Sequence, residues 1–374
     1  MIEDEVYRTS TQFRLWSFTP AQLTSLRAHT NVTAADRVRE AFKRDVDCLT
    51  LDEEQKLLSF CLTLTLETAQ KLALSSTIAG TAVQYMKRFY LYNSVMTYHP
   101  QQIMLCALFT AIKTEGPYFD LDIYVDRLMK QGGVKEKDAR RENILAMEFI
   151  LIQGLRYTLD VKHPQRAMKG ANIEMQSLAE GTALIPPATG KSAKELQQEL
   201  QSLPKTSGGP PTQSSTEQVK QRINHAYALS KDLQKAATTT DAYFHYTPSQ
   251  ISNAIYLLTD EPLALWYLST KVPLSSPLHA KILATLRACA KLLNAPSAYT
   301  HAEAIAAVKK LRKCQNPEKL DLVALNKGKK RDEVQDGKLE ESVAKRRKLE
   351  REASIQEGEA LFGPSLIKTE PGNA

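Results

Sequence analysis

Gly80-Thr-Ala-Val-Gln-Tyr-Met-Lys-Arg-Phe-Tyr-Leu-Tyr-Asn-Ser-Val-Met-Thr-Tyr-His-Pro100 runs on through Ile103-Met-Leu-Cys-Ala-Leu-Phe-Thr-Ala-Ile-Lys113. The stretch reads as two helices around one short connection. The first turns Ala79, Ala82, Val83, Met86, Phe89 and Tyr90 inward at helical spacing. Gly80 and its alanine neighbours allow another helix to approach closely. The second opens on Pro100 and has almost no polar face between Ile103 and Ile112, which places it at the centre of a bundle. It ends on Lys113. A cation leaving an apolar centre requires a partner, and this reading puts that partner on another protein.

Working outward, Thr50-Leu-Asp-Glu53 is a capping box, followed by Leu58, Cys61, Leu62, Thr65, Ala69 and Leu72 at three-to-four spacing. Gly116-Pro117 stops the helix that carries Lys113. Two more helices follow, roughly over 119–130 and 135–156. On the N-terminal side, Thr19 caps and Pro20 opens a short helix to about His29, with Trp16 and Phe18 packing back on a neighbour. A second set starts near Thr216. Its helices run over about 217–237, from Thr247-Pro248, from Pro262 and over 277–294. Thr300-His-Ala-Glu303 is again a capping box and launches a helix to about Cys314.

The predicted fold is all-α: two tandem five-helix bundles flanked by N- and C-terminal helices, with a disordered C-terminal tail. The expected partition is an N-terminal segment with a short helix over 1–48 and a first bundle over 49–160. A flexible insert over 161–216 follows, with one short helix near 194–203. A second bundle covers 217–298, a C-terminal helix 299–327, and a charged disordered tail 328–374. Composition agrees: only 15 glycines in 374 residues, 43% hydrophobic, and much of the remainder good helix formers.

The five cysteines, Cys48, Cys61, Cys106, Cys289 and Cys314, contain no C-x-x-C pair and are odd in number, which argues for buried thiols in a reducing compartment. No apolar run is long enough to span a bilayer and the N-terminus has no signal-peptide pattern, so a soluble intracellular chain with no membrane partner is expected. The net charge is +7, and residues 326–374 hold 11 basic and 10 acidic side chains, so the excess lies along the folded part. No one-sign stripe with interleaved aromatics appears, and no direct nucleic-acid contact is expected.

No phosphate-cradling glycine motif, metal-spaced histidine pair or nucleophile elbow is present. The chain is not expected to be an enzyme or to hold a cofactor or metal. Its anomaly is charge among apolar residues. Ile144-Leu-Ala-Met-Glu148-Phe-Ile-Leu-Ile152 is an apolar run with one carboxylate inside it, which is costly unless paired. If its helix packs on the one ending at Lys113, the two charges share a rim; from the residues alone this is an ordinary intramolecular ion pair, a Glu on a thin exposed stripe, or an edge that faces a partner.

The Lys87-Arg-Phe-Tyr-Leu91, Asn93-Ser-Val-Met96 and Tyr98-His-Pro100 wording, with Ile103-Met-Leu105 and Lys113, resembles the cyclin box. Thr240-Asp-Ala-Tyr243 with Tyr246-Thr-Pro-Ser-Gln-Ile251, and Ser10-Thr-Gln12 with Arg14, Trp16 and Phe18, are similar to H-type cyclins, in their fungal form. The resemblance covers roughly 7–325. It implies a non-catalytic nuclear subunit that binds and activates the cyclin-dependent kinase of transcription factor TFIIH. The implied partners are the kinase catalytic subunit, a RING-type assembly subunit, the TFIIH core and, indirectly, the RNA polymerase II machinery. The family's kinase-binding Lys and Glu fall on Lys113 and Glu148. Past Lys113 the wording departs from the family, with Thr114-Glu-Gly-Pro117 in place of a hydrophobe and two acids, and no substrate-docking patch is visible at Leu57–Leu62. The alternative is a cyclin-fold adaptor that binds DNA or general transcription factors, as TFIIB-like proteins do, or another transcription-type cyclin.

In the tail, Lys329, Lys330 and Arg331 precede Lys345, Arg346, Arg347 and Lys348 at the spacing of a bipartite nuclear import signal. Ile367-Lys368-Thr-Glu370 has the form of a SUMO acceptor centred on Lys368.

Overall fold

The computed structural model describes residues 2–116, 120–132, 137–183, 190–204, 213–295 and 299–317. Among them there are helices and loops and no strand. An N-terminal arm of α1 (Ile2–Thr9), α2 (Thr11–Trp16) and α3 (Pro20–Phe42) leads into a first bundle. That bundle comprises α4 (Leu51–Lys71), α5 (Ser76–Tyr92), α6 (Pro100–Glu115), α7 (Leu121–Gly132) and α8 (Lys137–Gly154). The second bundle comprises α9 (Gln165–Ala179), α11 (Thr216–Thr239), α13 (Pro248–Thr259), α14 (Glu261–Lys271) and α15 (Pro277–Leu293), with the shorter α10 (Ala193–Gln201) and α12 (Ala242–His245) between them. A last helix, α16 (His301–Cys314), packs back on α4 of the first bundle.

The helix starts follow from capping chemistry. Thr19, Thr50, Thr247 and Thr300 each accept from the backbone N–H three residues on, and the Gln or Glu there returns a bond to the cap backbone. The long α3 extends well past the expected end near His29. Its buried face is Leu23, Asn31, Ala34, Ala35 and Val38, too small and polar to give a strong apolar period. Asn31 belongs there because its Nδ2 donates to Leu49 O at 3.1 Å and to Glu54 Oε2 at 2.6 Å. The buried Glu54 carboxylate also accepts from Ser94 Oγ at 2.7 Å and from the Val95 backbone N–H at 2.9 Å. One carboxylate thereby ties α3, α4 and the turn after α5 together.

The expected flexible insert over 161–216 requires correction. Its first part is α9, whose Met168, Ala171, Met175 and Leu178 are buried against α11 and α13. Pro164 and Gly170 flank or interrupt this apolar period and hide it in the sequence. The anticipated short helix is α10, which buries Leu196 and Leu200 on α9 and α11.

The centre of the first bundle holds two buried helices, the expected α6 and its neighbour α5. α6 is buried at Ile103, Met104 and Cys106 to Ile112, but α5 is enclosed without a break from Ile78 to Leu91. Its polar residues, Thr81, Gln84, Lys87 and Arg88, are covered by the second bundle and by the arm. The tail beyond 317, with its proposed import and acceptor residues, lies outside the described residues.

Candidate functional site

Lys113 sits in the last turn of α6, where the helix dipole favours a cation. Glu148 projects from α8, which packs against α6. The two side chains form an ion pair at the surface, Nζ to Oε1. Lys113 is 41% exposed and Glu148 18% exposed. The first partner of Lys113 is thus inside the chain. A pair this open contributes only about 0–1 kcal/mol to folding. Both groups keep hydrogen-bonding capacity toward solvent: an ammonium has three N–H donors and a carboxylate accepts on two oxygens.

Beside the pair, α8 divides its apolar residues between two sides. Ile144, Met147 and Leu151 point into the core. Leu145, 46% exposed, and Phe149, 58% exposed, point out on the same side as Glu148, with the half-buried Ile152 one turn on. Leu145 and Phe149 thus leave two large apolar side chains in water beside the charge pair. The sequence reading did not single out Leu145 and Phe149. Their signal is the excess of apolar residues in 144–152 over what one buried stripe takes up.

The helices of this edge, α6 and α8, both pack on α5, which also meets the second bundle through α11. Arg88, fully buried on α5, donates to Gln12 Oε1 at 3.0 Å and to Asp160 O at 3.1 Å, and its guanidinium lies over the Trp16 ring at 5.3 Å. Lys87 donates to Thr240 O and lies over the Phe244 ring at 4.9 Å. Burial pushes its ammonium down to about 7, against the pull of Asp241. Asp241 is itself held by a bidentate pair with Arg27 at 2.7 and 2.8 Å.

His163 closes the junction. Its Nε2 lies 2.7 Å from Thr81 Oγ1 and its Nδ1 3.0 Å from the Tyr243 hydroxyl. Thr81 spends its one proton on Glu115 Oε1 at 2.9 Å, so it accepts from His163 Nε2–H, and Nδ1 accepts from Tyr243. Burial, then Arg88, pushes the pKa of the ring down to about 4, which keeps the imidazole neutral at neutral pH. Gly80 makes room: a Cβ there would stand 3.0 Å from His163 Cε1.

Two family models match this arrangement in tandem: the cyclin N-terminal domain over residues 33–160 and the cyclin C-terminal domain over 163–294. A chain of the CAK complex of Chaetomium thermophilum bound to ATP-γ-S superposes with a TM-score of 0.70 and 32% identity, covering 90% of this chain and 97% of that one. The chain is a cyclin. A chain of the yeast TFIIK (Kin28/Ccl1/Tfb3) complex matches with a TM-score of 0.56 at 26% identity, over 77% of this cyclin and 100% of that chain. Cyclin CCL1 of Saccharomyces cerevisiae is 26% identical over 288 residues, which is 72% of this cyclin and 62% of CCL1. Proteins named cyclin-H are also among its relatives, in keeping with the H-type wording of the box.

The cyclin box is thus divided by geometry. Lys87 and Arg88 of its first helix are buried scaffold, while Lys113 of its second reaches solvent. Among the described residues no three His, Cys, Asp or Glu side chains converge as metal ligands, and no helix is long and apolar enough to cross a membrane. All five cysteines are free and buried.

Proposed function

We propose that this cyclin is the regulatory subunit that binds and activates the TFIIH-associated cyclin-dependent kinase, and so supports phosphorylation of the RNA polymerase II C-terminal domain and transcription. The observation that carries the reading is the Lys113–Glu148 pair standing exposed beside Leu145 and Phe149, on a chain similar to one in a CAK complex. Lys113 donates to backbone carbonyls of the kinase and Glu148 accepts from its backbone N–H groups. The apolar residues exclude water around those bonds and strengthen them. Activation requires the kinase's movable helix to sit inward, so that its Glu holds the phosphate-positioning Lys. A stiff cyclin face that fits only the inward state shifts the kinase toward it by the difference in affinity for the two states; a shift from 1:99 to 99:1 takes about 10⁴-fold. The cyclin supplies no catalytic group.

The same reading places a RING-type assembly subunit and the TFIIH core among its partners and the complex in the nucleus. Lys329, Lys330, Arg331, Lys345, Arg346, Arg347 and Lys348 serve import, and Lys368 is the candidate SUMO acceptor. The test is Lys113→Glu. The variant keeps the helical circular-dichroism signal of the parent and loses kinase association and stimulated phosphorylation of polymerase repeat peptides. Full activation by the variant would overturn the assignment.

A further inference from the structure

Lys113 has a second neighbour besides Glu148. Its Nζ stands 4.9 Å from the centroid of the Phe109 ring, one turn back on α6. Phe109 is almost fully buried and stacks on Tyr124 of α7, with centroids 5.5 Å apart and planes at 29°. Tyr124 is wholly buried and its hydroxyl donates to Leu105 O at 2.9 Å, a further turn back on α6. The ring under the lysine is therefore fixed from below by a second ring, and that ring is fixed by a hydrogen bond to the same helix.

We propose that Phe109, backed by Tyr124, is a positioning residue for partner docking: its ring face and the Glu148 carboxylate hold the Lys113 ammonium at one place on the surface before the kinase arrives. This rests on the docking role proposed for Lys113. A free lysine has a flexible four-carbon stem whose freedom is lost on binding. A cation prefers the negative face of an aromatic ring, and a carboxylate also bound to it leaves few rotamers that satisfy both. Much of the ordering cost is thus met in the free cyclin, and docking affinity gains accordingly. An aliphatic residue at 109 would stay apolar but offer no electrostatic face and would fill less of the space against Tyr124.

The experiment measures affinity for the purified kinase subunit by titration calorimetry in a cycle of four proteins: parent, Phe109→Leu, Lys113→Met and the double variant. Phe109→Leu is expected to weaken binding about three- to tenfold, and Phe109→Tyr to restore it to within about twofold. In the Lys113→Met background, Phe109→Leu should change affinity by less than about twofold. Because the leucine variant loses packing, a parallel series places mono-, di- and trifluorophenylalanine at 109. These keep ring shape and weaken the face, and affinity should fall stepwise along the series. In the free cyclin, NMR should show the Lys113 side-chain methylene protons losing their ring-current shift in Phe109→Leu. Equal losses from Phe109→Leu in both lysine backgrounds, or a flat fluorine series, would overturn the positioning role while Lys113→Met still weakened binding. If Lys113→Met left binding intact, the docking role of the lysine would fall, and this proposal with it.

Discussion

Lys87-Arg88 and Lys113 belong to the same cyclin box, are all basic side chains and lie on adjacent helices, yet they have opposite fates. The first two are buried, Lys87 against Thr240 O and the Phe244 ring, Arg88 against Gln12 Oε1, Asp160 O and the Trp16 ring. The third reaches solvent with one carboxylate and one ring beside it. The difference teaches that a motif cation is scaffold when the chain itself satisfies it and a docking group when capacity is left over. Removal of a scaffold cation should therefore cost folding, and removal of a docking cation should cost association.

The largest effect should come from Arg88→Ala. It strips the donors from Gln12 Oε1 and Asp160 O and empties the space under Trp16, so stability should drop by about 3 kcal/mol or more in urea unfolding. A variant with parent stability would erase the distinction between the two regions.

The next effect is a pH dependence at the same junction. His163 has a pKa lowered to about 4 in the folded chain against 6.5 for an ordinary histidine. Unfolding then takes up a proton between those values. Stability contributed by neutral His163 is complete above pH 6.5 and is lost as pH falls toward 4, by up to about 3 kcal/mol. His163→Gln should flatten the parent's curve over that window, with the difference read from unfolding curves at matched pH.

Packing beneath the edge gives a smaller change. A Cβ at Gly154, the last residue of α8, would stand 2.5 Å from Phe89 Cδ2. Gly154→Ala must push α8 or the ring aside, at about 1–3 kcal/mol, and should lower kinase affinity too because α8 carries Glu148. The smallest change is expected for Glu148→Gln, within about 1 kcal/mol of the parent in stability because the pair is partly solvated, but with clearly weaker kinase binding.

How much of this was legible before the fold was known depends on where the information resides. Helix starts are local: Thr19, Thr50, Thr247 and Thr300 announce themselves through the residue three positions on. The two-bundle count and the pairing of Lys113 with Glu148 were also within reach, because both apolar runs contain a single conspicuous charge. What stayed hidden depends on distant contacts. The second half of α3 buries alanines and Asn31, whose partner Glu54 lies on another helix. α9 looks like linker because Pro164 and Gly170 mask four well-spaced apolar residues. The return of α16 onto α4, fixed by Lys56–Glu303 at 2.7 Å and Asn316 N to Met96 O at 2.9 Å, has no local signature at all. Nor does the sequence separate Lys87 from Lys113, since only the surrounding helices decide which one meets water.

The most direct measurement pairs two readouts on one preparation of Lys113→Glu: affinity for the kinase subunit and the midpoint of thermal unfolding. The docking account predicts a loss of affinity of about 30-fold or more with a midpoint within about 2 °C of the parent. Undiminished affinity accompanied by a clearly lowered midpoint would place Lys113 with the scaffold cations and contradict it.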